Sequence, residues 1–502
     1  MYEDRIRCAA LRGKITSAAE AAKLVRNGMR VGASGFTRAG DIKAIPRELA
    51  KRAAEEKDPL RIALMTGASL GLADGVMAEA GVLSRRLPFQ ADVKLRSAIN
   101  RGEVMFIDQN LSDTVEMLRA NQLGKLDLAI IEATAITEDG GIVLTTSVGN
   151  SASFAMLAEK VIIELNLAQP AGLEGIHDIW IPGKRPRRTP LPILRPHDCV
   201  GTPTVNISPE KIAAIVITDE PDSPSTILPA DEETGSIAGH LIEFFQHEVK
   251  HGRLNSPLPP LQAGVGTIAN AVLSGFVKSP FENLTMYSEV LQDSTFDLLD
   301  SGKMVFASGA SFTLSAKRQE QVLRELDRYR SRVVLRPQEV SNYPEIIRRL
   351  GLIALNTALE VDIYGNVNST HVGGTHMMNG IGGSADFTCN AACAIFATKS
   401  IAKEGRISSI VPMVPHVDHT EHNVDVIVTE QGLADLRGLA PRERVPLIIE
   451  HCAHPLYRDI LRDYYRDALQ HGGQTPHLLE RAFGLHLRLK ETGSMLPEGA
   501  GK

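Results

Sequence analysis

The sequence predicts an α/β protein of two homologous, doubly wound halves, each an open and mostly parallel sheet with flanking helices, and an active site between them. Three observations carry this expectation. Short apolar runs alternate with stretches whose apolar residues fall three or four apart, the pattern of parallel strands joined by crossover helices. The alternation breaks once, at a proline-marked segment, and then restarts. Segments of the second part also repeat the order of segments in the first.

In the first half the strand-like runs are MRVGASG (29–35), LRIALMTGAS (60–69), VMFID (104–108), LDLAIIEAT (126–134), KVIIEL (160–165) and KIAAIVITD (211–219). Between them lie the helical stretches 44–57, 113–122 and 151–160. From 169 to 203 the run IPGKRPRRTPLPILRP interrupts the pattern, because proline neither continues a helix nor donates to a central strand. Trp180, the chain's single tryptophan, lies between Ile179 and Ile181, so this stretch reads as an arm packed on something, an excursion inside the first half. A long amphipathic helix (235–254) and the hinge NSPLPPL (255–261) follow. The expected organisation is a first half over 1–230, a connector over 231–260 and a second half over 261–502.

The restart is visible in two comparisons. VGASGFTRAGDIKAIPREL (31–49) and LQAGVGTIANAVLSG (261–275) each pair an apolar entry with a glycine turn and a helix. LDLAIIEATAITEDGGIVLTTSVGN (126–150) and IALNTALEVDIYGNVNSTHVGG (353–374) each lead from an apolar strand to an acid, a glycine turn and a Ser/Thr-rich strand.

Composition narrows the class. Hydrophobic content of 43% and charge of 23% fit an ordinary globular enzyme. A net charge of −6 leaves no basic footprint for nucleic acid. Five scattered cysteines (8, 199, 389, 393, 452) without paired metal spacing suggest free thiols in a reducing compartment. The N-terminus has no apolar core of a signal sequence, and no apolar run nears the ~18 residues that span a bilayer. A cytoplasmic protein without a membrane partner is expected.

The candidate chemistry centres on 264–293. NLTMYSEV (283–290) reads as a short strand delivering Glu289 to the carboxyl end of the sheet, where open α/β folds place their ligands. On burial habits alone, such a glutamate would be a solvated edge residue. Two glycine stretches, Gly264-Val265-Gly266 before a helix and NGIGGSADF (379–387), suit backbone amides aimed at an anion. Position 269 is Ala, so the first lacks the third glycine of a dinucleotide fingerprint, and no phosphate-loop motif occurs. His416, His419 and His422 have a spacing that could ligate metal, but they fall in a connection between strands and read as a solvated or hydrogen-bonding loop. Cys389 and Cys393 sit in a helix-like stretch whose period suggests packing rather than a nucleophile.

YSEVLQD (287–293), GVGTIANAV (264–272), DIYGNVNST (362–370), MMNGIGGSADF (377–387), VPMVPHVDH (411–419) and VTEQGLADLRG (428–438) together resemble the acetyl-CoA hydrolase/transferase family of class I CoA-transferases, most strongly its succinyl-CoA:acetate CoA-transferase branch. The resemblance extends through SGFTRAGDIKAIP (34–46), TSVGNS (146–151) and LEGIHDIW (173–180), covering nearly the whole chain. It implies ping-pong transfer of coenzyme A between carboxylic acids, with coenzyme A as co-substrate, no tightly bound cofactor and no metal. It places the nucleophile at Glu289, oxyanion-binding amides at Val265 and Gly383, and an amide holding the nucleophile at Asn342. Without the family, Asn342 would read as a plain helix N-cap. Glu430 matches an acidic position near the site, and Asn379, Gly383 and Lys403 match CoA-contacting positions. The segment 219–230 lacks a basic residue where relatives can carry arginine, which leaves the acid pair open. Succinyl-CoA and acetate is the expected pair, with an acyl-CoA hydrolase, or a propionyl-CoA:succinate transferase, as the alternative. A non-catalytic CoA sensor would keep the glycine turns without needing Glu289. A homodimer is the default expectation.

Overall fold

The structure, a computed structural model, describes residues 2–55 and 60–497. Two large sheets organise it. The first contains β1 (Arg30–Ala33), β2 (Ile62–Met65), β3 (Leu83–Leu87), β4 (Met105–Phe106), β5 (Leu128–Ala133), β6 (Lys160–Asn166) and β7 (Ile212–Thr218). They lie in the order β7-β6-β5-β1-β2-β3-β4, and every pairing is parallel. The second contains β8 (Leu261–Ala263), β9 (Leu284–Tyr287), β10 (Met304–Gly309), β11 (Val333–Leu335), β12 (Ile353–Thr357), β13 (Cys393–Ala397), β14 (Val426–Thr429) and β15 (Gly432–Asp435). Their order is β11-β10-β9-β8-β12-β13-β14-β15, parallel except for the β14/β15 hairpin.

The two orders are the same topology. In each half the first strand is central, the next three step outward on one side, and the remaining parallel strands step outward on the other. The doubly wound α/β class therefore holds, and the matched sequence pairs fall on β1 with β8 and on β5 with β12. Strands such as β5 and β6 are buried along almost their whole length, as expected of parallel strands covered on both faces, and their polar residues Glu132, Glu164 and Asn166 are buried with the rest.

Several local expectations need correction. Strand β3 (LSRRL) was not legible because two arginines break its apolar run; Arg86 is fully buried and its guanidinium donates to both Asp74 oxygens, at 2.7 and 2.9 Å. The helix expected over 44–57 is seen over Ala44–Glu55, and its last two residues lie outside the described residues. The connector helix runs Glu232–Lys250, capped by Asp231. The stretch holding Cys389 and Cys393 is not one helix: the helix Ser384–Thr388 ends before Cys389, and Cys393 opens β13.

The arm is not confined to the first half. Leu191 and Ile193 are buried with Tyr287, Val340, Tyr343 and Ile346 of the second half, and Trp180 packs against the same group. Asp178 pairs with the fully buried Arg336, whose Nη2 also donates to the carbonyl of Asp198 at 2.7 Å. The proline-rich composition leaves backbone carbonyls free of any ladder, and here they satisfy a buried guanidinium. Backbone bonds join the halves further: Val148 N donates to Ala310 O, Phe312 N to Thr146 O and Gln338 N to Gly149 O, each at 2.9 Å.

At the carboxyl ends of the first sheet the crevice is filled from within. Lys43, 5% exposed, donates to Glu132 at 2.6 Å and to Asp222 at 3.0 Å, while Glu164 accepts from the amides of Lys43, Ala44 and Ile45. Burial pushes the Glu132 carboxyl up to about 8 and that of Asp41 to about 6, against the pull of Lys43. Removing one partner of a buried ionic cluster costs about 3–5 kcal/mol because the remaining charges stay desolvated. Lys43→Met should therefore lose stability of that order in urea unfolding at pH 8, with the loss shrinking toward pH 5 as the stranded carboxyls take up protons.

Candidate active site

Strand β9 ends at Tyr287, whose hydroxyl donates to Val340 O at 2.6 Å. Glu289 therefore lies two residues past the strand, immediately before the short strand Val290–Gln292 that pairs with Ser311–Thr313. Its own carbonyl accepts from Ala310 N at 2.6 Å and from Ser311 N at 3.2 Å, which fixes its backbone. The residue is only 6% exposed, which overturns the solvated-edge reading.

Its carboxylate lines a cavity of about 140 Å³ between the halves. The first half supplies an apolar wall of Phe36, Ala68, Leu70, Phe89 and Leu111; the second supplies both glycine stretches, with Gly264, Val265, Asn379 and Gly383 among the lining residues. Among the described residues, Glu289 is the one ionisable side chain in that lining. Asn342, fully buried, donates from Nδ2 to Glu289 Oε1 and, at 3.2 Å, to Asp386 Oδ2. Loss of hydration pushes the Glu289 carboxyl up to about 8; the Asn342 bond opposes this and the nearby Asp386 adds to it.

The glycines have specific reasons to be there. Gly266 has φ of +130°, open to glycine but strained for other residues. Gln292 clamps that turn at both ends, accepting from Gly266 N at 3.1 Å and donating to Gly264 O at 2.9 Å. At Gly383 a Cβ would stand 1.4 Å from Glu289 Oε1 and 2.2 Å from Asn342 Nδ2, so only glycine lets this backbone approach the carboxylate. The amides of Val265 and Gly383 have no hydrogen-bond partner among the described residues.

Of the sequence candidates, Glu289, Val265, Gly264, Gly383 and Asn379 meet at the cavity, with Asn342 behind and Gly266 supporting the turn. Asn342 is not an N-cap: it follows the helix Gln338–Ser341, and Tyr343 caps the next one. Glu430 and Lys403 do not line the cavity. Glu430 follows β14 and accepts from Ser400 N at 2.8 Å, which holds its carboxyl below the usual range against partial burial. Lys403 sits exposed at a hairpin tip with φ of +47°. The histidine loop is hydrogen-bonded rather than solvated at its centre: His419 is 2% exposed, with Nε2 2.9 Å from the Ser384 hydroxyl beside Gly383. No group of His, Cys, Asp and Glu among the described residues is arranged to hold a metal ion, and no described helix is long and apolar enough to cross a membrane.

Sequence reasoning missed Gln292, Asp386, Asp108 and Ser112. Asp108 accepts from Ile381 N at 2.9 Å and Ser112 Oγ donates to Asp386 Oδ1 at 2.6 Å, so the loop after β4 grips the second half's glycine stretch. An unusually polar run, DQNLSD (108–113), was the available signal.

Two outcomes follow from this geometry. Gly383→Ala should fold yet lose at least ~10²-fold of any activity that uses Glu289, since a displacement near 1 Å has that scale of effect; circular dichroism and steady-state rates check it. The raised Glu289 carboxyl should also make the wild type less stable as pH rises. Between the unfolded value near 4.3 and about 8 the unfolded chain gives up a proton that the folded chain keeps. Glu289→Gln removes that titration, so its thermal midpoint should exceed the wild type's by a margin that grows from pH 5 to pH 8 and then levels off.

Comparison with known proteins places the chain. Residues 3–217 match the acetyl-CoA hydrolase/transferase N-terminal domain and residues 319–465 the C-terminal domain. The chain is 48% identical to the succinyl-CoA:acetate CoA-transferase of Clostridium kluyveri, covering 98% of this chain and 92% of that one. It is 47% identical to the propanoyl-CoA:succinate CoA transferase of Escherichia coli, covering 96% of this chain and 98% of that one. It is 45% identical to an acetyl-CoA hydrolase of Candida glabrata, covering 99% of this chain and 98% of that one. Matches to both family domains and near-complete alignment with these enzymes establish that the chain is an enzyme of the acetyl-CoA hydrolase/transferase family.

Proposed function

We propose that the protein is a CoA-transferase that uses Glu289 as its nucleophile, with succinyl-CoA and acetate as the acid pair. The observation that carries this reading is the buried Glu289 carboxylate, held by Asn342 in a cavity it shares with two backbone amides, those of Val265 and Gly383, that have no partner among the described residues. A Glu289 oxygen attacks the thioester carbonyl and the CoA thiolate leaves, giving an acyl-glutamyl anhydride. The thiolate then attacks the glutamyl carbonyl, the acid departs as its carboxylate, and a glutamyl-CoA thioester remains. An incoming acid reverses these steps.

Each attack creates a tetrahedral oxyanion. The amides of Val265 and Gly383 are the donors we assign to it, a role in which loss of one donor typically costs ~10²–10³ in rate. The apolar wall supports this by keeping water from competing for them, and the burial that makes the carboxylate basic also makes it a better nucleophile. Asn379 and Lys403 are assigned to CoA, Lys403 as a point charge for a phosphate reached outside the cavity. Glu430, bound to Ser400, would act only at a distance. The first half, the connector and the second half are taken as the working domains.

The second reading, hydrolysis, is favoured by the likeness to the Candida glabrata enzyme. Transfer is preferred because a covalent carboxylate is not needed for hydrolysis and because the first half lines the cavity with mostly apolar side chains, Thr37 excepted. A propionyl-CoA and succinate pair, after the Escherichia coli relative, is the alternative within transfer. The deciding assay incubates the protein with succinyl-CoA, with and without acetate. Acetyl-CoA formed only when acetate is present supports transfer; equal consumption without acetate supports hydrolysis. Glu289→Ala should abolish exchange while leaving CoA binding, and acyl-CoA without an acceptor should add CoA mass at Glu289 in the wild type alone.

A further inference from the structure

Asn342 is held from one side only. Its Nδ2 faces two carboxylates, Glu289 and Asp386, while its Oδ1 is buried and has no partner among the described residues. An amide turned the other way would give up both of these hydrogen bonds and aim its oxygen at two acceptor oxygens, so the pair of carboxyl groups together keeps the donor pointing at Glu289. Asp386 is in turn fixed from the first half: Ser112 donates from its hydroxyl at 2.6 Å to Oδ1 and from its amide at 3.1 Å to Oδ2. Asp386 is 4% exposed and Asn342 is fully buried, so water offers neither an alternative partner.

We propose that Asp386 is a positioning residue of the transfer reaction, locking the Asn342 amide in the one orientation that serves Glu289 and tying that amide to the first half through Ser112. The inference rests on the reading of Glu289 as nucleophile. It gives the crossing between the halves a chemical purpose, since the nucleophile is correctly held only when the loop after β4 is seated against the helix Ser384–Thr388. The same loop seats Leu111, whose carbonyl accepts from Gln338 Nε2 at 2.9 Å, in the helix that leads to Asn342. The other ionisable groups facing this cluster are Asp113 beside Ser112, Asp108 under the glycine stretch and the Cys389 thiol at the helix end. Among the described residues no lysine, arginine or histidine forms an ion pair with either carboxylate, so no cation competes for the orienting role.

The sign of a pH shift separates positioning from simple charge. A neighbouring negative charge raises the Glu289 titration, so if Asp386 were only a charge, Asp386→Asn would move the rising limb of kcat/KM against pH to lower pH. If Asp386 orients Asn342, the same change releases the amide, Glu289 loses the bond that favours its ionised form, and the limb moves to higher pH. Positioning further requires kcat to fall about 10²-fold with KM for acyl-CoA little changed, and Asp386→Asn to add nothing further in an Asn342→Ala background. A limb that stays or moves down, or losses that add in the double variant, would overturn the proposal. Should Asp386→Asn not fold, Ser112→Ala removes one anchor of the same carboxylate and must shift limb and kcat in the same directions, more weakly. If these variants fail the test while Glu289→Ala still abolishes exchange, the positioning role falls and the function stands.

Discussion

The structure turns on one carboxylate kept out of water. Glu289 is held by a single amide in a cavity whose lining, among the described residues, offers it no cation, and that arrangement is costly to fold. It persists because the surroundings over-determine it: β9 is tied at Tyr287, the backbone of Glu289 is bonded to Ala310, and Asn342 has its donor engaged twice. Under the function proposed above the expense has a use: a carboxylate stripped of solvent is more basic and more nucleophilic than one in water, which is what attack on a thioester calls for.

The duplicated sheets show how one architecture yields two different ends. Both halves present a crevice at the carboxyl edges of central parallel strands, the usual ligand position of doubly wound folds. In the first half Lys43 and four acidic groups fill it, and the result is a structural cluster. In the second half glycines keep side chains out and the crevice stays open. The first half then supplies the opposite wall through Phe36, Leu70, Phe89 and Leu111. Neither half holds a complete site, which accounts for the backbone bonds, the buried Asp178–Arg336 pair and the arm that cross between them.

The parts of the site legible in sequence were those where chemistry restricts residue type within a short window. Glycine at 383 is required by a carboxylate so close that a Cβ cannot fit, and glycine at 266 by its backbone angle; both stand out as glycine-rich text. Asp386 and Ser112 gave no such signal, because an ordinary aspartate and an ordinary serine acquire their roles by meeting across 274 residues of sequence. Strand β3 failed for a related reason: Arg86 looks like a surface residue until Asp74 is seen beside it. His419 belongs to the same class, a loop histidine in the text and a buried partner of Ser384 in space.

The sequence by itself determined the α/β class, the two-fold repetition and the place of Glu289 just past the end of a strand, because periodicity, glycine requirements and motif order are local properties of a chain. Only the tertiary structure decided which crevice is open, which polar residues hold the amide behind Glu289, and that the arm belongs to both halves. Those outcomes depend on pairs of buried polar groups finding each other, and burial of a charge is tolerable only with its partner in place, whatever the distance along the chain.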